Sequence, residues 1–282
     1  MTTDLAHYIE EKAEIINRAL EEYLGGSENL LRPIMEYSVL SEGKRFRPVL
    51  VLAAIESLGG DITVALPAAC AIEFVHCFSL VHDDLPCMDN DDYRRGRLST
   101  HKKFGEAEAL LAGDALVMQA FEILSSPARG SWTTPEKRIA VIYELSAASG
   151  ARGMTGGQYL ELVKSTEKVD ETLLSDVHKQ KTGAFIRCAV RIGGILGDAS
   201  TEDLDALTEY GESIGLLFQI VDDILDAGKD DEAISFSSFY GITEARNKAC
   251  EAAASARDAL ARFSGRKELF MQITDFLLER KR

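Results

Sequence analysis

From about Leu66 to Leu85 the chain is apolar nearly all the way round a helical wheel. It then runs into Asp83-Asp84-Leu85-Pro86-Cys87-Met88-Asp89-Asn90-Asp91-Asp92-Tyr93-Arg94-Arg95-Gly96. A helix apolar on every side must be covered on every side, so this one is predicted to be central and buried. Carboxylates crowded at its end repel one another unless a cation sits among them. Arginines beside them suggest that the cation brings a polyanion along, which points to a magnesium-bound phosphate or diphosphate. Pro86 breaks the helix and lets Asp89 swing back toward Asp83 and Asp84. Counted from Asp89, the sixth position is Arg94 rather than Gly and the twelfth is Thr100 rather than Glu, so a calcium-binding EF-hand is excluded.

The rest of the chain reads as helix. Residues 4 to 24 place Leu5, Ile9, Ala13, Ile16, Leu20 and Leu24 at three- and four-residue steps. Ser27 is placed to cap a short helix carrying Leu30, Leu31 and Ile34, and an apolar helix is expected from about Val49 to Leu58. Further helices are expected over 105–124, over 136–164 as one or two, from an Asp170 cap through Lys179–Gly183, from a Ser200 cap onward, and over 242–262 and 266–281. No strand-like alternation exceeds a few residues, Pro135 is the last proline, and no composition shift marks a domain boundary. The expectation is one all-α domain over residues 1–282.

The formal charge of −15 argues against nucleic acid as a partner. It would also repel a polyanionic substrate, so a diphosphate needs metal ions or local basic clusters. Five cysteines without a CxxC pair read as reduced thiols, not a disulfide frame or zinc site. No apolar run is judged long enough to span a membrane, so stable membrane insertion is not expected. The start, MTTDLAHYIEEKAEII, is acidic and lacks targeting character, so the simplest expectation is a cytoplasmic protein.

Two further groups bear on the acidic stretch. Lys44, Arg45 and Arg47 sit at the start of an apolar helix, where anions are favoured. Near the other end of the chain, Gln219, Asp222, Asp223 and Asp226 form one stripe on a helix that also carries Phe218, Ile220 and Val221. Such a stripe on an apolar helix is expensive unless a cation compensates it. His76 falls two turns before Asp83 and Asp84 on the same helical face. Two carboxylate sets on facing helices can build a metal site in a helical bundle. With basic residues and an apolar interior, they suit a diphosphate carrying a hydrocarbon tail.

These elements together resemble the short-chain trans-prenyl diphosphate synthases, of the farnesyl and geranylgeranyl type, over nearly the whole chain. Gly43-Lys44-Arg45-Phe46-Arg47-Pro48 resembles the family's GKRxRP element. Glu73-Phe74-Val75-His76 with Ser79-Leu80-Val81-His82-Asp83-Asp84, and Asp89 with Arg94-Arg95-Gly96, resemble its first aspartate-rich region. Gly156-Gly157-Gln158, Lys181-Thr182-Gly183 and Phe218-Gln219-xx-Asp222-Asp223-xx-Asp226 are similar to the remaining motifs.

The resemblance implies an isoprenoid-synthase-type bundle of about ten or more helices around a deep cavity, usually a homodimer. It implies three magnesium ions, held by Asp83, Asp84 (or Asp83 alone with water) and Asp89, and by Asp222 with Asp223 and Asp226. Arg94 and Lys181 would contact an allylic substrate, dimethylallyl or geranyl diphosphate. Lys44, Arg47, His76 and Arg95 would hold isopentenyl diphosphate. Thr182, Gln158 and Gln219 would set oxygen dipoles near a carbocation. The implied reaction is ionisation of the allylic diphosphate, head-to-tail attack by isopentenyl diphosphate and loss of a proton to released diphosphate.

Departures from the family pattern are the short segment after Asp226, where the expected lysine falls on Ala233 and leaves Lys229 to reach the diphosphate, and Glu161 in place of Asp. In the family a bulky residue five before the first aspartate floors the cavity, and the resemblance puts Phe78, with Ser79 next to it, in that place, roughly 7–8 Å from the metal site by helical rise. That favours a fifteen-carbon product, farnesyl diphosphate. The plant-like Leu85–Asp92 stretch makes geranylgeranyl diphosphate the runner-up. Other classes weighed are a terpene cyclase, which has no use for a second diphosphate site, a non-catalytic regulatory subunit, and a metal-buffering protein, which leaves the basic set unexplained.

Overall fold

The computed structural model describes residues 5–24, 30–126, 132–164, 170–227 and 234–280. Their contacts divide into two compact units, residues 1–52 with 62–142 and residues 53–61 with 143–282. The division falls inside α3 (Phe46–Ser57) and inside α7 (Pro135–Ser149), which explains why no linker composition marks it.

The first unit is built on α4 (Ile62–Asp83), which packs against α1 (Leu5–Tyr23), α2 (Arg32–Val39) and α6 (Glu106–Ser125). Phe74, Val75 and Cys77 are among its buried side chains. The helix starts earlier than the sequence expectation of Leu66. Proline is favoured in the first turn, but Pro67 lies inside α4, where it removes one backbone bond. At 22 residues α4 is long and apolar enough to cross a membrane by length and composition, which corrects the expectation that no run is. Two-thirds of that apolar window is buried within the protein, so it acts as a core helix.

Two short elements had no sequence signal: α5 (Thr100–Phe104), and an antiparallel hairpin of β1 (Tyr93–Arg94) and β2 (Arg97–Leu98). The hairpin turn has positive φ at both central residues, 52° at Arg95 and 75° at Gly96, as a type I′ turn requires. Among the described residues these are the only strands.

The second unit is built on α11 (Thr201–Asp226), which packs against α10 (Ala184–Leu196), α12 (Phe236–Tyr240), α13 (Ile242–Ala261) and α14 (Glu268–Glu279). Ser200 caps α11 by accepting the Asp203 N–H at 3.1 Å, and Asp203 accepts the Ser264 N–H at 2.7 Å. Burial works against the Asp203 carboxylate, yet the hydrogen bonds it accepts from the Ser264 N–H and from the Ser200 and Ser264 hydroxyls hold its pKa below the ordinary value. Asp170 caps α9 (Glu171–His178) by accepting the Leu173 N–H at 2.8 Å. The helix expected to continue from there instead widens into a π-helical turn at Lys179–Gly183 before α10. Such turns are frequent at functional sites. The proposed Ser27 cap lies outside the described residues.

Candidate active site

In the first unit, α4 ends at Asp83, and the chain folds back on itself. The Asp89 N–H donates to the Asp83 carbonyl at 2.9 Å, and the Asn90 N–H to the Leu85 carbonyl at 3.1 Å. This closes the poor helical phase between Asp83 and Asp89 as the position of Pro86 suggested. The two side chains differ from Asp84 in exposure: Asp83 is half-buried and Asp89 exposed, whereas Asp84 is buried. Asp84 accepts from Arg94 Nε at 2.9 Å and Nη2 at 2.5 Å. Arg94 also reaches Asp91 at 3.0 Å, and Asp92 pairs with Lys102 at 2.8 Å. Asp91 and Asp92, which had no assigned role, are thus partners of basic side chains. Burial raises the Asp84 pKa above the ordinary value, over the lowering effect of Arg94.

The basic group divides. Arg45 is not a surface residue at a helix start. Its φ of 49° turns the side chain inward, where it pairs with buried Glu73 at 2.8 Å and bonds Asn17 and the Ser41 carbonyl. Arg47 instead donates through Nη1 to His76 Nε2 at 3.3 Å. Burial, then the charges of Arg47, Arg95, Arg45 and Arg94, hold the His76 pKa well below its usual value. A neutral imidazole among four guanidiniums marks a strongly cationic locus. Arg95 bonds the Ser41 hydroxyl at 3.2 Å, and Lys44 is exposed. Phe78 packs edge-on against His82 at 4.8 Å, and His82 Nε2 lies 3.1 Å from the Leu110 carbonyl of α6. The Ser79 hydroxyl donates to the His76 carbonyl at 2.8 Å.

In the second unit, α8 (Met154–Lys164) crosses the π-helical turn so closely that a Cβ on Gly157 would lie 2.4 Å from the Lys181 nitrogen. That accounts for the glycine before Gln158, which is half-buried. It also brings Lys181 onto Glu161, so the residue departing from the family pattern is the lysine's ion-pair partner. A Cβ on Gly215 of α11 would lie 2.9 Å from the Gly183 Cα. This second close approach sets Thr182 against Gln219. The Gly211/Gly215 spacing was visible in the sequence and went unused.

A hydrogen-bonded relay follows. The Thr182 hydroxyl donates to Gln219 Oε1 at 2.8 Å, and Gln219 Nε2 donates to Asp223 Oδ1 at 2.7 Å. Asp223 Oδ2 accepts the Phe236 N–H at 2.7 Å. Asp222 pairs with Arg280 at 2.8 Å, and Asp226 is exposed. His178 stacks on Phe236 at 5.0 Å, with its Nε2 3.7 Å from Asp223 Oδ2. Burial, then the Lys181 charge, lowers the His178 pKa to about 4. Lys229 and Ala233 lie outside the described residues. Sequence reasoning did not find Phe236, His178 or Arg280.

Among the described residues, no three His, Cys, Asp or Glu side chains converge closely enough to hold a metal ion unaided. The all-oxygen donor sets fit magnesium nonetheless. Magnesium takes one or two carboxylates and completes its shell with water and phosphate oxygens.

A polyprenyl synthetase family model matches residues 28–239. The large subunit 1 of the heterodimeric geranylgeranyl pyrophosphate synthase of Arabidopsis thaliana chloroplasts is 41% identical, over 94% of this chain and 76% of that protein. A dimethylallyltranstransferase of Fischerella ambigua is 38% identical, over 99% of this chain and 84% of its own length. Among solved structures, an FPP/GFPP synthase from Zymomonas mobilis in its apo form superposes with a TM-score of 0.90. It is 37% identical and covers 99% of this chain and 100% of that one.

Proposed function

The chain belongs to the polyprenyl synthetase family, and from that premise we propose that it is a trans-prenyltransferase releasing farnesyl diphosphate. The substrates are isopentenyl diphosphate and an allylic diphosphate, dimethylallyl or geranyl. The observation that carries this reading is the division of labour among charged side chains. Arg47, His76 and Arg95 gather beside α4, while the Thr182–Gln219–Asp223 relay presents only neutral dipoles and one tethered carboxylate. A cationic set suits a diphosphate that is held but not broken. The oxygen dipoles suit a developing carbocation, which a full positive charge would repel.

Asp83 and Asp89 in the first unit, and Asp222 and Asp226 in the second, are the side chains proposed to hold magnesium. Magnesium held there would supply positive charge to the leaving diphosphate, which favours ionisation of the allylic C–O bond. Lys181 adds an ammonium that Glu161 keeps in place. Arg47 and His76 orient isopentenyl diphosphate, whose double bond attacks the allylic cation, and the proton lost leaves with the released diphosphate. No protein base is required. A homodimer is proposed as the working assembly. Its support is the exposed apolar set on α6, Leu110 at 44%, Leu111 at 54% and Met118 at 64% exposure.

The fifteen-carbon product rests on Phe78 as the proposed floor, whose ring packs edge-on against His82. A twenty-carbon product is the second reading, favoured by the relatives named geranylgeranyl pyrophosphate synthases. One assay decides: purified protein, magnesium, labelled isopentenyl diphosphate and each allylic primer in turn, with products separated by chain length. Farnesyl diphosphate supports the first reading, and geranylgeranyl diphosphate the second. A cyclised hydrocarbon or no turnover would overturn both. Phe78→Ala should lengthen the product by at least one isoprene unit, and an unchanged length removes Phe78 from the floor.

A further inference from the structure

Asp223 stands in the middle of the second aspartate-rich motif, where the resemblance implies that it helps Asp222 to hold a metal ion. Its surroundings argue otherwise. The residue is only 4% exposed. Each carboxylate oxygen already accepts a short hydrogen bond, Oδ1 from Gln219 Nε2 and Oδ2 from the Phe236 N–H, both at 2.7 Å. The second of these donors is a buried backbone group with no freedom to rotate away. His178 walls off the far side, its ring stacked on Phe236 at 5.0 Å with an interplanar angle of 26°. Neighbouring Asp222 and Asp226 are more exposed.

The direction of each hydrogen bond is fixed from one end. Phe236 N–H can only donate, and an ionised carboxylate can only accept. Asp223 therefore forces Gln219 to turn its NH2 inward and its oxygen outward. That oxygen in turn makes Thr182 a donor, so the threonine lone pairs stay available on its other side. We propose that Asp223 is a positioning residue that sets the polarity of the Gln219–Thr182 dipoles and is not a cation ligand. His178 and Phe236 form the joint that holds it. This deepens the proposed function, because it rests on Thr182 and Gln219 facing the reacting cation.

Exchange of two side chains separates polarity from ligation. In Asp223→Asn, the remaining oxygen must still accept the Phe236 N–H, so its NH2 faces Gln219. The Gln219 amide then flips and donates to Thr182, reversing the dipole. In the double variant Asp223→Asn/Gln219→Glu, the asparagine NH2 donates to the new carboxylate, which again accepts from Thr182. The original polarity returns with the same net charge, moved from residue 223 to residue 219. Steady-state kinetics with isopentenyl and geranyl diphosphates should show kcat about 10- to 100-fold lower in Asp223→Asn, with KM little changed. The double variant should recover most of that loss.

Binding of Mn2+ in the presence of inorganic pyrophosphate, read by electron paramagnetic resonance, needs no turnover. Asp223→Asn should hold as much Mn2+ as the parent, while Asp222→Asn holds less. Loss of Mn2+ from Asp223→Asn matching that from Asp222→Asn, or no recovery in the double variant, overturns the inference. If the parent protein fails to condense the two diphosphates, the proposed function falls, and the Mn2+ comparison still decides the role of Asp223.

Discussion

Asp84 and Asp223 are each the second member of an aspartate pair, and both are nearly sealed from solvent, at 2% and 4% exposure. Asp84 is met by a charge, the guanidinium of Arg94. Asp223 is met by dipoles, the Gln219 amide and the Phe236 N–H. The supporting frames differ in the same sense. Arg94 sits half-buried on a two-residue strand beyond a proline break, while Gln219 sits one turn before Asp223 on the same helix, α11, and Phe236 opens α12, which packs against it. An ionic partner on a small hairpin can be shared with an arriving phosphate. A dipolar partner on a packed helix has no charge to give up to a ligand. The first motif is therefore suited to capture and the second to preorganisation.

The sharpest way to break this contrast is to remove the charge. Arg94→Leu leaves Asp84 buried without its cation and should cost about 2–4 kcal/mol of stability, discounted because Arg94 is partly exposed. Urea unfolding would measure it. Adding Asp84→Asn should return a large part of the loss, since a neutral amide needs no counter-charge. No recovery would mean that Arg94 holds the hairpin by packing instead.

The corresponding blow to the second motif is steric. Gly215→Ala places a methyl group 2.9 Å from the Gly183 backbone, which has no side chain to yield. The expected cost is about 1–3 kcal/mol from overpacking, together with lower turnover as Thr182 leaves Gln219. The same substitution with full stability and full activity would show that the π-helical turn moves freely against α11.

Much of this was legible from periodicity and residue type. The apolar character of α4, the caps at Asp170 and Ser200, and the acid stripe on α11 all follow from local chemistry. The all-α fold followed with them. What the sequence hid depends on long-range partners. Nothing local distinguishes Arg45, which pairs with Glu73 in the core, from Arg47 two residues later, which bonds His76. The start of α4 lies at Ile62, four residues before the expected Leu66, because the helix runs through Pro67. Phe236 escaped notice because its contribution is a backbone N–H, which every residue but proline has.

The smallest effect also tests the contrast most directly. His178 Nε2 lies 3.7 Å from Asp223 Oδ2, close enough to be an ion pair if the ring were protonated. Burial, with the nearby Lys181 charge, instead lowers its pKa to about 4, so the ring is neutral at pH 7. The sign of the pH dependence follows from that. Above a pH of about 6.5 the ring is neutral in both folded and unfolded chains. As pH falls below that value the unfolded chain takes up the proton first, and stability is lost until the folded ring also protonates near pH 4. Between about pH 7 and pH 5.5 the parent should lose about 1 kcal/mol that a His178→Gln variant keeps, read as the difference between their urea midpoints at each pH. An ion pair with Asp223 would raise the pKa and reverse the sign, so that acid stabilised the parent relative to the variant. That outcome would make His178 a cationic partner of Asp223.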